Sequence, residues 1–442
     1  MSRRLFGTDG VRGRFGEEPL TEPTVRGLAV AVGHRVSAHA PGAAVLVAGD
    51  TRASSPVLAR WIEQGLAAGG ARPVDLGTLP TAAVARLVPE RRAAAGVVLS
   101  ASHNPAADNG IKLIGADGFK WSDEAELALE RSLVPHPASA ARVVAERDAA
   151  AAGDYLGALR AAGGDLRGLR LLLDCANGAA SSLAGPLFAA LGARVEVIFD
   201  RPDGSNINLG CGSTHPEALA ASVAAGGFDL GFALDGDADR ALLVDERGEV
   251  RDGDAMMFLW ARHLAARSEL EPRAIVATSM SNLGLEHALA PDGIAVVRCG
   301  VGDREVVATL RAGGLRLGGE QSGHLVDLAR STTGDGLLTA VVLASLIAEA
   351  GRPVSDLLAG FRRYPQLLVN VKVRSKPPLE GLPAVAAAAR AAEERLGADG
   401  RLLLRYSGTE PLARIMLEGP DEPTLHTLAD ELATALRTEI GA

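Results

Sequence analysis

The chain has 442 residues, and 45 Lys+Arg against 54 Asp+Glu leave a formal charge of -9. At about 150 residues per domain this suits three or four domains, and 47% hydrophobic with 22% charged residues excludes wholesale disorder. An acidic chain does not attract nucleic acid by its overall field, and its best apolar run, Ala340–Ile347, is far short of the ~18 residues a membrane span needs.

The opening MSRRLFGTDG has arginines but no apolar stretch, so no secretion signal is expected. Cys175, Cys211 and Cys299 are far apart and odd in number, which suits reduced thiols and a cytoplasmic location. Basic charge is almost all arginine; the lysines are Lys112, Lys120, Lys372 and Lys376.

In chain order, one unit recurs three times. Each copy opens with a short apolar run that predicts a buried strand, at 44–48, 169–173 and 274–278. A polar turn and an Ala/Leu-rich helical stretch ending at glycine follow. A second strand is predicted at 71–76, 193–198 and 294–298, then another helix and a third strand at 96–99, 230–234 and 315–317. Alternating strands and helices imply parallel pairing with right-handed crossovers. The tail reads differently: strand 367–373, amphipathic helix 382–396, strands 401–404 and 413–418 around a Gly-rich turn, and a closing helix 423–440. The expected fold is therefore α/β, with three tandem βαβαβ-type mixed-sheet domains and a C-terminal α+β (β-α-β-β-α) domain.

Ligands gather beyond the carboxyl ends of parallel strands, and each third strand runs into an unusual polar loop. The first is Ser100-Ala101-Ser102-His103-Asn104-Pro105, the second Asp235-Gly236-Asp237-Ala238-Asp239-Arg240, and the third Gly318-Gly319-Glu320-Gln321-Ser322-Gly323-His324. Asp235, Asp237 and Asp239 put three carboxylates in five residues; they repel unless a cation holds them, and hard oxygen donors select Mg²⁺ or Ca²⁺. An EF-hand is excluded, because Arg240 stands at the sixth position where glycine is needed and the flanks read as strands. Ser102 lacks the G-x-S-x-G elbow of a serine hydrolase, but opposite a metal loop it is a natural phosphoryl acceptor whose charge Lys112 and His103 could neutralise. The tail segment Arg405-Tyr406-Ser407-Gly408-Thr409-Glu410-Pro411 offers backbone N–H groups and hydroxyls to an oxyanion, with Arg405 and Arg414 as bidentate phosphate partners. No Gly-Lys-Ser/Thr occurs, which excludes a Walker-type ATP site, and Gly300-Val301-Gly302 lacks the third glycine of a dinucleotide fingerprint.

These four loops, in this order, resemble those of the α-D-phosphohexomutase superfamily. The serine loop continues into Asn109-Gly110-Ile111-Lys112, and the resemblance spans the chain. Within the superfamily, Phe6 to Gly13, Cys211 to Glu217, Met280 to Gly284, and Gln321 resemble the phosphoglucosamine mutase family. One departure is Cys299, where the family pattern leads to the expectation of a threonine.

The resemblance implies four domains around a central cleft: 1–155 bearing a phosphoserine, 156–255 binding metal, 256–367 binding sugar and 368–442 binding phosphate. It implies one Mg²⁺ per chain, held by Ser102 (as phosphoserine), Asp235, Asp237 and Asp239. It further implies interconversion of glucosamine 6-phosphate and glucosamine 1-phosphate through glucosamine 1,6-bisphosphate. Arg12, His103 and Lys112 join Ser102 as catalytic candidates; Arg240, Glu320, Ser322 and His324 would bind substrate; Arg405, Ser407, Gly408, Thr409 and Arg414 would bind phosphate. The expected partner is a small-molecule sugar phosphate, with no nucleic acid and no membrane; a homodimer is compatible. The rivals are a phosphoglucomutase or phosphomannomutase, a Mg²⁺-dependent sugar-phosphate phosphatase and a non-catalytic sensor.

Overall fold

The computed structural model describes residues 5–137, 143–407 and 410–442. The chain divides into two compact units, Met1–Met280 with Ile294–Ala359, and Ser281–Gly293 with Gly360–Ala442.

The first unit carries the three repeats as three mixed sheets. In the first sheet, strand Ala44–Gly49 pairs in parallel with Arg72–Thr78 on one side and Ala95–Leu99 on the other. The second sheet has Arg170–Asp174 between Arg194–Ile198 and Leu230–Leu234, and the third has Ala274–Thr278 between Ala295–Cys299 and Leu317–Gly319. Strands Ala95–Leu99, Leu230–Leu234 and Ala274–Thr278 are buried along their whole length, as unbroken apolar runs require when helices cover both faces.

Each third strand then turns back into an antiparallel partner: Asp108–Gly115, Ala241–Asp245 and Leu325–Asp327. The three polar loops are the connections of these pairs, so all three leave the carboxyl end of a central strand. Leu317–Gly319 lies two residues beyond the stretch predicted from periodicity. Its last two residues are glycines, whose lack of a side chain gives no strand signal. A Cβ at Gly318 would meet Val276 O at 2.8 Å, so the close strand approach requires glycine there.

The second unit is a three-stranded antiparallel sheet, with Leu412–Glu418 between Gln366–Lys372 and Arg401–Tyr406. Helices Pro383–Leu396 and Glu422–Ile440 supply the other half of a core built on Val371, Ile415, Leu417, Leu428 and Leu432. The short helix Leu283–Leu289 belongs to this unit. Its capping Asn282 donates through Nδ2 to Tyr364 O (3.0 Å) and Glu418 Oε1 (3.2 Å). Sequence spacing groups that helix with the third repeat; the capping bond that ties it to the tail sheet spans 136 residues and leaves no local pattern. Among the described residues no helix is long and apolar enough to cross a membrane.

Candidate active site

The acidic loop is buried in the first unit. Asp235 and Asp237 are 0% exposed and Asp239 3%, and one oxygen of each lies within 4.8 Å of the others. Burial first, then Asp239 and Asp237, push the Asp235 carboxyl well above its ordinary value, a cost that a bound cation would relieve.

The neighbours determine which oxygens face that cation. Asp237 Oδ2 accepts from Thr81 Oγ1 and from Lys112 Nζ at 2.7 Å, while Asp239 Oδ2 accepts from Lys112 Nζ at 3.1 Å. Asp235 Oδ1 accepts the Arg240 N–H at 3.2 Å and its Oδ2 meets Ser102 Oγ at 2.5 Å. Asp237 Oδ1 and Asp239 Oδ1 are left buried without a hydrogen-bond partner. Two orphaned carboxylate oxygens beside a third carboxylate and a hydroxyl form an all-oxygen donor set that fits Mg²⁺.

Ser102, 1% exposed, donates to Asp235 Oδ2, and its Oγ lies 3.2 Å from His103 Nδ1. Burial, Arg240 and Arg12 push the His103 imidazole down to about 4, so it is neutral near pH 7. The metal loop can come this close because Gly236 has no side chain; a Cβ there would lie 2.5 Å from Ser102 O.

Lys112 was expected as a phosphate cation. It is buried instead among Asp237, Asp239 and Asp9, the last at 3.1 Å. Burial alone would lower its pKa, but the three carboxylates raise it well above the ordinary value, so it is a fixed ammonium.

A cavity of about 560 Å³ opens beside these groups, lined among others by Arg12, His103, Lys120, Asp239, Arg240, Asp303, Glu320 and His324. Arg12 donates to Asp9 at 2.7 Å. Glu320 takes the Gly302 N–H on Oε1 at 3.0 Å, and Ser322 Oγ stands 3.5 Å from its Oε2. His324 is 2% exposed. Its Nε2 accepts from Gly334 N at 3.0 Å and its Nδ1 lies 3.7 Å from Asp239 Oδ1, so the ring is packed against the metal loop. A Cβ at Gly334 would sit 2.4 Å from that ring.

Sequence reasoning missed several members. Lys120 bridges Asp9 (2.6 Å) and Asp303; its rarity was the available signal. Thr81, the first residue of helix Thr81–Glu90, orients Asp237 and gave no signal at all.

In the second unit, Arg405 and Arg414 stand opposite each other on paired strands. Arg414 reaches Glu410 Oε2 at 2.9 Å and Ser407 Oγ at 3.4 Å. Lys376, read only as part of a loop, donates to Ser407 O at 2.6 Å. Gly408 and Thr409 lie outside the described residues.

Four family models match successive parts of the chain: the phosphoglucomutase/phosphomannomutase alpha/beta/alpha domain I at 3–134, domain II at 154–248, domain III at 252–364 and the C-terminal domain at 368–435. The phosphoglucosamine mutase of Anaeromyxobacter dehalogenans is 45% identical, covering 100% of both chains. That of Halorhodospira halophila is 46% identical over 99% of this chain and 97% of its own. A phosphoglucomutase/phosphomannomutase family protein from Burkholderia thailandensis superposes with a TM-score of 0.82 at 26% identity, covering 99% of each chain. The N-acetylphosphoglucosamine mutase of Aspergillus fumigatus shares the fold at 20% identity, with a TM-score of 0.68 over 99% of this chain and 96% of its own. With full-length relatives at this identity and all four domain models in order, the chain belongs to the phosphoglucosamine mutase family of the phosphohexomutases, isomerases that move a phosphoryl group within one sugar.

Proposed function

We propose that this chain interconverts glucosamine 6-phosphate and glucosamine 1-phosphate, with Ser102 carrying the transferred phosphoryl group. The observation that carries the reading is the Ser102 Oγ at 2.5 Å from Asp235, beside two orphaned carboxylate oxygens. The fungal neighbours, solved with GlcNAc-6P and magnesium and with glucose 1,6-bisphosphate, support the class of ligand. The chain divides functionally at 1–155, 156–255, 256–367 and 368–442, and its free thiols agree with a cytoplasmic location.

Asp235, Asp237 and Asp239 would hold one Mg²⁺ together with the phosphorylated Ser102. When bound, that ion neutralises charge on the phosphoryl oxygens. Phosphoryl transfer needs in-line positioning and charge neutralisation above all. Arg12, Lys120 and Arg240 face the cavity and meet the remaining negative charge. Ser102 gives its phosphoryl group to the free sugar hydroxyl, breaking its own O–P bond and forming glucosamine 1,6-bisphosphate. After the sugar turns around, the other phosphate returns to Ser102. The His103 ring, neutral and 3.2 Å from Ser102 Oγ, would hydrogen-bond that oxygen through Nδ1 during these steps. Glu320 and Ser322 would accept and donate to ring hydroxyls, with His324 bracing the metal loop behind them. Arg405, Ser407 and Arg414, with Gly408 and Thr409, would bind the phosphate that is not being transferred.

The test supplies glucosamine, glucose and mannose 6-phosphates, each with its own 1,6-bisphosphate. Glucosamine 6-phosphate should turn over fastest. Equal or faster turnover of a neutral sugar would transfer the chain to a phosphoglucomutase or phosphomannomutase activity, and steady phosphate release without isomer would make it a phosphatase.

A further inference from the structure

Ser102 has a backbone φ of 54°, in the left-handed region that a residue with a Cβ enters only when its surroundings impose it. The surroundings are a buried ion pair from the turn after the first strand. Arg52 is 1% exposed and Asp50 3%, and they meet at 2.9 Å through Nε and Oδ2. The guanidinium's other N–H groups are spent on the serine loop. One terminal nitrogen donates to Ser102 O at 3.0 Å and Asn104 O at 2.8 Å; the other donates to Asp108 O at 2.9 Å and to Pro105 O. One planar cation thus gathers four carbonyls of a single loop.

Asp50 closes the other side of the peptide. Its Oδ2 accepts from Ser100 Oγ at 2.6 Å, and Ser100 Oγ in turn accepts the Ser102 N–H at 2.9 Å. Both polar groups of the Ser102 backbone are therefore held by one buried pair. Asn208, from the second repeat, adds a further bond to Ser102 O at 2.9 Å. A planar fork with five donors makes this possible; an ammonium has three donors and no plane.

We propose that Arg52, locked by Asp50, is a positioning residue that fixes Ser102 in the backbone geometry from which its phosphoryl group is transferred. The inference deepens the phosphoserine reading above and rests on it. Arg52 touches neither substrate nor reacting atoms, and it acts through the direction of the Ser102 Cα–Cβ bond. Misplacing a reacting group by about 1 Å costs on the order of 100-fold in rate.

The test uses full-length wild type, Arg52→Lys and Ser100→Ala, each loaded with glucose 1,6-bisphosphate and checked for phosphate on Ser102 by intact mass. Single-turnover transfer to glucosamine 6-phosphate is then measured per phosphorylated chain. Transfer should slow about 100-fold in Arg52→Lys and about tenfold in Ser100→Ala, with KM within about twofold of wild type. Phosphorylated Arg52→Lys transferring at the wild-type rate overturns the proposal, since a purely structural role would lower only the folded fraction. If Arg52→Lys does not fold, wild-type transfer by Ser100→Ala overturns it equally. Wild-type protein that takes no phosphate on Ser102 would instead sink the phosphoserine reading, before any variant is compared.

Discussion

Two ion pairs close to Ser102 are buried: Lys112 and Asp237 keep 1% of their side chains exposed, Arg52 and Asp50 none. In the tail loop, Arg414 leaves 31% of its side chain to solvent and its partner Glu410 leaves 55%. A buried, fully bonded group cannot reorient without losing bonds that water does not replace, which suits the serine loop to frame the proposed bond-breaking step. As proposed phosphate ligands, the arginines of the tail would meet an anion from water, where their charge is partly screened and their side chains can adapt. The first arrangement suits chemistry at one atom; the second suits reading a phosphate whichever end of the sugar presents it. Substitutions in the two loops should therefore fail in different kinetic constants.

The largest effect is expected from Ser102→Ala. Turnover should fall by at least about 10⁴-fold, as removal of a covalent carrier does, with the melting temperature within a few degrees of wild type. Normal turnover in this variant would end the phosphoserine reading.

Asp237→Asn comes next. Thr81 and Lys112 both donate to one side of residue 237, so the amide oxygen should take that side and turn its NH₂ toward the orphaned position of Oδ1. The Mg²⁺ concentration for half-maximal activity should rise about 10- to 100-fold. An unchanged Mg²⁺ titration would mean that Asp237 is no ligand.

Arg414→Ala tests the other half of the contrast. A charged hydrogen bond of about 1.5–3 kcal/mol, discounted for the exposure of Arg414, predicts a KM about tenfold higher with kcat within about twofold. Added salt should raise the wild-type KM and affect the variant less. A fall in kcat with unchanged KM would erase the distinction between the loops.

What could be read without coordinates divides along the same line. The three central strands were visible because apolar runs buried on both faces need no context. The polar loops stood out because carboxylates or hydroxyls directly after such runs demand an explanation. The return strand Asp108–Gly115 was not visible as a strand, since it places Lys112 in a buried position that only the acidic loop of another repeat can tolerate. The Lys120–Asp303 pair spans 183 residues, and the Asp50–Arg52 turn looks like any solvated turn. His324 was read as a sugar contact because it closes the Gly-Glu-Gln-Ser-Gly-His run; its packing on Gly334 depends on a loop ten residues away.

The smallest expected effect lies where a helix end meets the metal loop. Asp335 caps helix Gly336–Ala350 by accepting the Leu338 N–H at 2.9 Å, and it accepts the Tyr155 hydroxyl at 2.9 Å. Gly336 N donates to Ala238 O, between the metal-loop aspartates, at 2.9 Å. Burial pushes the Asp335 carboxyl up from 3.8 to about 6, against the pull of its hydrogen bonds. A carboxyl whose folded pKa lies above its unfolded value favours the fold most when protonated. Its contribution is full below about pH 4 and is lost as pH rises through about 6, a change of about 2–3 kcal/mol. Asp335→Asn has the same shape and no titration. Thermal melts of the two proteins from pH 4.5 to 7.5 should therefore show the stability advantage of wild type over Asp335→Asn shrinking as pH rises from 4.5 to about 6 and then levelling off. A difference constant across that range would show that Asp335 is ionised throughout, and that the Tyr155 and Leu338 bonds outweigh its burial.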